Sequence, residues 1–350
     1  MHTPARLIRH SEERGMPTQR KSAGFTIVEL LVIIGIIAIL IGLLLPALSG
    51  VQARGKKLTE ASQLRSIGTA WSMYADLNKQ AILPGYIEPE AQERWRLQYE
   101  YPAPLQQGDP TSHIIDPEVA APWTWRLLPL LDYNADLIRG YTGEAFSPDH
   151  PLLYDVEDPT NLDRPLTVAL EPSFGYNAFY VGGWLDVVSM GDSSEVVQPR
   201  YWNARDAETN ERVNVIARSM NQIRRPSELI TFSSASRFDT PAVYPSINDD
   251  RPGSHLVTPT RLAEDEQWRS LTSNASSDLV SSTASGNFSA NPHTIQTLAS
   301  PAHAPIARYN RLVSYLRADG STDTAAVAEL TSQRLWIDTA DRRDFIHTEE

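Results

Sequence analysis

The feature that most constrains this chain is an apolar run near its N-terminus, from Phe25 to Leu45 (FTIVELLVIIGIIAILIGLLL). Its 21 residues include one charged side chain, Glu29. At a rise of about 1.5 Å per residue, a helix of this length spans roughly 30 Å, the thickness of a bilayer core. A helix buried in a soluble protein is seldom apolar on every face over such a length. The run therefore predicts a transmembrane helix over residues 25–45.

Two familiar kinds of membrane segment explain the run less well. A secretory signal peptide has a shorter apolar region that is followed by a small-x-small cleavage pattern. Here Leu44, Leu45 and Pro46 stand at that position instead. A plain N-terminal anchor has the right length but leaves Glu29 unexplained, because a carboxylate within a membrane helix is costly and is usually kept for a specific partner.

The residues just before the run account for Glu29. The segment RKSAG (20–24) ends in Gly24, directly before Phe25, and Glu29 is the fifth residue counted from Phe25. This pattern resembles the prepilin-peptidase signal of type IV pilins and type II secretion pseudopilins. The resemblance implies that a prepilin peptidase cuts between Gly24 and Phe25 and that Phe25 is then N-methylated. It also implies other pilin or pseudopilin subunits and the inner-membrane assembly machinery as partners.

Elementary chemistry agrees with these roles. A glycine before the cut lets the backbone fit closely into a protease cleft. Cleavage would leave the Phe25 α-amine as a cation at the membrane edge, which Glu29 of a neighbouring subunit could neutralise. Gly35 and Gly42 lie seven residues apart on one face, where they would permit close helix approach or are simply tolerated.

Residues 1–24 then form a cleaved leader with five basic and two acidic side chains, although Met16 is an alternative start. Positive charge favours the cytoplasmic side of a membrane, but the basic residues at 54, 56 and 57 weaken this bias. The orientation therefore rests mainly on the cleavage signal. The expected location is the cytoplasmic (inner) membrane, with one pass through the lipid bilayer and the remaining chain outside the cytoplasm.

Residues 46–84 are predicted to continue the helix in amphipathic form. Pro46 matches a position where many pilin helices bend or locally melt. Beyond it, apolar side chains recur every three or four residues, as in a helix with one buried face. They are Leu58, Ala61, Leu64, Ile67, Trp71, Tyr74 and Leu77. The pattern predicts one helix from Phe25 to about Leu77, which ends before the Leu83-Pro84-Gly85 break.

Residues 85–350 are predicted to form a soluble, pilin-like α+β head, in which an antiparallel β-sheet packs on the second half of the helix and long loops join the elements. The best strand candidates are Leu166–Leu170, Leu229–Ser233 and Leu312–Arg317. A hairpin turn is predicted at Asp319-Gly320. Residues 270–300, rich in Ser, Thr, Ala and Asn, are predicted to be a flexible loop.

Several stretches of the chain resemble the large pilin-like families of planctomycete-type bacteria. The resemblance is carried by Leu64–Asp76, Trp123–Leu131, Ser173–Gly183, Ile223–Ser236 and Arg308–Gly320. In the last stretch, Tyr309 stands where those families have a histidine. Any metal or hydrogen-bonding role of that histidine therefore does not carry over to this chain.

The composition disfavours several other functions. The chain has no cysteine, its eight histidines lack metal-ligand spacing, and it has no G-x-S-x-G motif. A transition-metal site and a catalytic triad are therefore not expected. The formal charge of −12 argues against a nucleic-acid partner. Trp123, Trp125, Trp184 and Trp202 could form a sugar-binding platform, although core packing is the commoner fate of such residues.

Calcium is the one cofactor that the sequence leaves open. Asp319, Ser321 and Asp323 alternate as oxygen donors, and acidic residues at 155, 157, 158 and 163 form a second cluster. Major pseudopilins often carry a calcium loop near the C-terminus, so either group could supply part of an oxygen cage. Neither group has EF-hand spacing. The alternative interpretations are a hairpin turn and a solvated acidic loop.

Taken together, these features predict a structural subunit of a pilus-like filament and not an enzyme. The filament could be a secretion pseudopilus, a pilus or a competence fibre. The alternative function is an exported enzyme or ligand-binding domain that uses a prepilin-type signal as its anchor. The head of about 265 residues favours this alternative, because it is larger than most pilin heads.

Overall fold

The computed structural model describes residues 26–101, 114–134, 136–139, 168–190, 194–235, 253–259, 305 and 312–348, with the backbone alone at 44–50, 52, 53, 136, 139 and 327. Several predictions fall outside these ranges. They concern the leader, Gly24, Phe25, the acidic cluster at 155–163, the 270–300 loop and Tyr309. The contacts divide the chain into two compact units, Met1–Gln52 and Ala53–Glu350.

Helix α1 extends from Ile27 to Leu77 and contributes residues to both units. Its end agrees with the predicted end near Leu77. The backbone turns away there because Lys79 and Gln80 adopt positive φ angles of 55° and 67°. The helix continues through Pro46 without interruption. Local melting is therefore not seen at Pro46, and a bend there stays a prediction.

The second unit combines short helices with nine strands among its described residues. The helices are α2 (Pro89–Trp95), α3 (Pro117–Ala120), α4 (Trp123–Leu127) and α5 (Asp136–Arg139). The strands are β1 (Tyr86–Ile87), β2 (Phe174–Tyr176), β3 (Trp184–Ser189), β4 (Glu195–Pro199), β5 (Arg205–Asp206), β6 (Ile230–Ser234), β7 (Val313–Arg317), β8 (Thr322–Ala325) and β9 (His347–Thr348). Short 3-10 turns occur at Leu128–Leu131, Met220–Gln222, Val327–Thr331 and Gln333–Leu335.

The largest sheet has four antiparallel strands in the order β2-β6-β7-β8. Strands β6 and β7 confirm two of the predicted strands. The predicted turn at Asp319-Gly320 is also confirmed, because it joins β7 to β8 and Gly320 has a φ of 83°. The strand predicted at Leu166–Leu170 is wrong, since residues 168–170 are helical. A short apolar run does not distinguish a buried strand from a buried helical turn.

Two smaller sheets complete the described part of the head. One has the order β1-β3-β4, with β1 parallel to β3, and the other pairs β5 with β9. The predicted α+β class and the N-terminal helix are confirmed. The single antiparallel sheet that was predicted is only part of the structure, because strand β1 pairs in parallel with a strand distant in sequence.

Within the second unit, α1 packs on the four-stranded sheet. Leu64, Ile67 and Trp71 are buried, whereas Leu58 and Leu77, at the ends of the predicted stripe, are exposed. A methyl group added to Gly68 would lie 2.9 Å from a side-chain atom of Leu316 in β7, so the helix lies close against the sheet. The buried part of the stripe is therefore shorter than predicted at both ends.

A hydrogen-bonded chain crosses this interface. The indole nitrogen of Trp71 donates to the hydroxyl of Tyr176 in β2 at 2.9 Å, and that hydroxyl donates to the carbonyl of Leu83 at 3.0 Å. Each polar atom in this buried chain has a partner, which avoids the desolvation cost of an unpaired group. The chain therefore ties the helix, the sheet and the segment after the helix together.

Candidate processing and assembly site

The first turn of α1 is closed by Thr26 and Glu29. The amide and the hydroxyl of Thr26 donate to Oε2 of Glu29 at 2.9 and 2.8 Å. The amide of Glu29 in turn lies 3.2 Å from the Thr26 hydroxyl oxygen, which accepts its hydrogen. This reciprocal pattern is a capping box, in which a Thr and a Glu three residues apart satisfy free amides at a helix start. Glu29 thus stabilises its own helix, and its predicted role in assembly stays a prediction.

Between residues 30 and 43, the side chains that follow the cap are apolar and exposed. Their exposure ranges from 42% at Ile33 to 84% at Ile27 among the large ones between residues 27 and 43. A methyl group added to Gly35 or Gly42 would meet no atom within 4 Å. In the parts of the chain that the structure describes, no helix is both long enough and apolar enough to span a membrane. The transmembrane helix over 25–45 stays a prediction from the sequence.

Glu60 is a buried acidic residue of α1 that the sequence analysis missed. It is 4% exposed. The hydroxyl of Ser234 in β6 donates to its Oε1 at 2.7 Å, and the hydroxyl of Ser314 in β7 donates to its Oε2 at 2.5 Å. A signal was present, because Glu60 stands four residues before Leu64 on the apolar stripe. A charge at such a position indicates a buried polar contact.

The three residues proposed for calcium lie in or beside the β7–β8 turn. Oδ1 of Asp319 accepts from the amide of Ser321 at 2.9 Å. Asp323 accepts from its neighbour Thr324 through Oδ1 and from the guanidinium of Arg317 through Oδ2, at 2.8 and 2.9 Å. These are the contacts of a hairpin turn. Within the described ranges, no three His, Asp or Glu residues group to hold a metal ion, and calcium binding stays a prediction.

Three further titratable groups are held in unusual states by the head. Burial raises the pKa of Glu88 to about 7, although the indole of Trp184 donates to its carboxylate at 3.0 Å. Burial lowers the pKa of His347 to about 4. Hydrogen bonds from Arg342 are the main reason that the pKa of Asp206 falls to about 2. These groups couple the stability of the head to pH.

Comparison with known proteins bears on the N-terminal segment. Residues 19–45 match a family model described as the prokaryotic N-terminal methylation motif. No curated protein and no solved structure matches the chain. The match includes Gly24, Phe25 and Glu29, so the chain carries a prepilin-type signal. Such a signal implies processing by a peptidase, assembly with other pilin subunits, and a protein that is membrane-anchored or exported.

Proposed function

We propose that this chain is a pseudopilin or pilin, a structural subunit of a filament of the type II secretion or type IV pilus kind. The observation that carries the proposal is the methylation motif at residues 19–45, which overlaps the first part of helix α1. A prepilin peptidase cleaves after Gly24, and Phe25 becomes the methylated N-terminus. In this proposal the head is a structural part and not an enzyme.

The packing of the second unit supports a pilin-like fold. Between Glu60 and Trp71, α1 lies against the four-stranded antiparallel sheet, and both of these residues make polar contacts across the interface. A subunit that is pulled out of a membrane and into a filament needs its helix firmly fixed to the head. Buried polar contacts at set positions prevent the helix from sliding along the sheet.

The exposed apolar side chains of α1 support the proposed contacts of this helix with lipid and with other subunits. A continuous apolar surface in water is unfavourable and marks a site for lipid or another protein. Before assembly the lipid bilayer of the inner membrane covers this surface, with the head outside the cytoplasm. After assembly the same surface packs on the helices of other subunits, and the inner-membrane machinery drives the transfer.

Variants of Glu29 test the proposed assembly role. The capping box creates an ambiguity, because Glu29→Ala removes both the charge and the cap. Glu29→Gln removes the charge but keeps an oxygen that can accept from Thr26. Thr26→Val is the matched control, since it removes the hydroxyl of the cap and leaves the charge.

We expect both Glu29 variants to be cleaved at Gly24 and to remain outside filaments, whereas Thr26→Val assembles. Mass spectrometry of the N-terminus measures cleavage and methylation of Phe25, and sheared filaments measure incorporation. If Glu29→Gln enters filaments and Glu29→Ala does not, Glu29 acts only by capping its own helix. Normal incorporation of both variants would sink the assembly role, and an uncut chain would sink the proposed processing.

The alternative function, an exported enzyme or ligand-binding domain on a prepilin-type anchor, also has one structural observation in its favour. The head has a polar cleft of about 530 Å³. A filament subunit can also carry such a cleft, so the two functions are compatible. A chain that is processed normally but never enters filaments would favour the anchored domain.

A further inference from the structure

A cleft of about 530 Å³ opens on the head between the segments 212–224 and 338–339. Its volume is within the range that binds small ligands. Besides Asp338, the polar residues that line it are Arg212, Asn214, Asn221, Gln222, Arg224 and Thr339. Two arginines, three residues with side-chain amides and one aspartate thus line one cleft in a chain whose formal charge is −12. Arg212 already donates to Asn203, and the hydroxyl of Thr339 donates to the carbonyl of Asn214. The lining donors that remain for a ligand are therefore those of Asn221, Gln222 and Arg224.

The floor of the cleft is fixed by Asp338. Its two carboxylate oxygens accept from the backbone amides of Arg224 and Arg225, both at 2.8 Å. The guanidinium of Arg225 turns inward to the carbonyls of Ile337 and Asp338. Asp338 is thus occupied with backbone donors and holds the segment that carries Arg224 in place. The cleft is therefore built before any ligand arrives.

The donors that remain suit a carboxylate flanked by hydroxyl groups. Arg224 is exposed, and its guanidinium has no partner among the described residues. Oε1 of Gln222 accepts from the amides of Arg218 and Ser219, which leaves the NH2 of Gln222 as a donor. A guanidinium binds a carboxylate through two parallel hydrogen bonds, whereas amides bind hydroxyls.

The exposed aromatic residue Trp202 is linked to the lining of this cleft through neighbouring residues. Trp202 is 41% exposed, whereas Trp123, Trp125 and Trp184 are buried in the core. Two contacts make this link. The guanidinium of Arg218, which follows the lining residue Ala217, lies over the indole at 5.6 Å from the ring centroid, and Asn203, next to Trp202, accepts from Arg212. An exposed indole offers a flat apolar surface on which the C–H face of a sugar ring can pack.

We propose that this cleft binds a hexuronate unit of an acidic saccharide. The sugar carboxylate pairs with Arg224, its hydroxyls bond the amides of Gln222 and Asn221, and its ring packs near Trp202. An acidic peptide would supply the carboxylate but not the row of hydroxyls that the amide-rich lining fits. The proposal goes beyond the filament role and does not depend on it.

Calorimetry on the full chain in mild detergent tests the proposal. The probes are galacturonate oligomers, neutral galactose oligomers of the same length, polyglutamate and inorganic sulfate. We expect binding of the galacturonate oligomers alone. Arg224→Gln and Trp202→Ala should each weaken that binding by about tenfold or more, the size of one lost charge-assisted bond or stacked ring. Arg224→Lys keeps the positive charge but loses the two parallel N–H donors of the guanidinium, so it should retain part of the affinity.

Matched controls separate the site from general effects. Arg343→Gln removes an exposed arginine that does not line the cleft, and Trp95→Ala removes a tryptophan with 44% exposure elsewhere. Both should bind as the unmodified chain does, and circular dichroism confirms folding. Equal binding of polyglutamate, sulfate or the neutral oligomers would overturn the proposal. Failure of galacturonate to bind, or full affinity in Arg224→Gln, would overturn it as well.

Discussion

The contact of Glu60 with the sheet leads to a quantitative prediction. Ser314 donates to the buried carboxylate at 2.5 Å. Removing one partner of a buried hydrogen bond leaves a polar group that keeps its desolvation penalty, which costs about 1–3 kcal/mol and more if the group is charged. We therefore expect Ser314→Ala to lower the free energy of unfolding by about 2–3 kcal/mol. In a Glu60→Leu background the same change should cost less than about 0.5 kcal/mol, because the carboxylate is gone.

Urea unfolding of the full chain in mild detergent measures this coupling. Tryptophan fluorescence reports the unfolding well, since Trp71, Trp123 and Trp336 are fully buried in the folded head. Ser62→Ala, on the exposed side of the same helix, is the control and should stay within about 0.5 kcal/mol of the unmodified chain. An equal loss from Ser314→Ala in both backgrounds would refute the reasoning, because the hydroxyl would then act without Glu60.

Three shorter predictions concern pH and calcium. The pKa of His347 is about 4 in the fold and 6.5 in the unfolded chain. This residue's contribution to stability therefore falls as pH drops from 6.5 to 4. His347→Phe should flatten that part of the dependence of Tm on pH, measured by thermal unfolding. The pKa of Glu88 is raised from 4.5 to about 7, so the contribution of Glu88 to stability falls as pH rises through this window. Glu88→Gln should remove that fall. An unchanged dependence of Tm on pH in this variant would contradict the role given to Glu88. Because Arg317 already pairs with Asp323 at 2.9 Å, excess calcium should leave the Tm unchanged; a calcium-dependent rise that Asp323→Asn abolishes would instead establish the predicted site.

The N-terminal segment could be predicted because its information is local. A basic leader that ends in glycine, then Phe25 and Glu29, is recognised by residue type and spacing, and the methylation-motif match covers the same residues. The end of α1 near Leu77 and the strands β6 and β7 were also predictable, since periodicity and turn residues act over a few positions. The cap between Thr26 and Glu29 is also local, because a Thr three residues before a Glu is the sequence signature of a capping box.

The head depends on contacts that no short stretch of sequence contains. Residues 168–170 are helical because of their surroundings, and β1 pairs in parallel with β3 almost a hundred residues later. The role of Glu60 depends on its hydrogen bonds with Ser234 and Ser314, which lie 174 and 254 residues away in the sequence. The cleft likewise needs Asp338 to hold the loop of Arg224, 114 residues away.

The sequence by itself therefore determined how the N-terminus is marked for processing, because a peptidase acts on consecutive residues. Only the tertiary structure decided which acidic side chains are buried and where a polar cleft forms. Burial and pairing depend on which distant segments come into contact, and the stability of each contact depends on the rest of the fold.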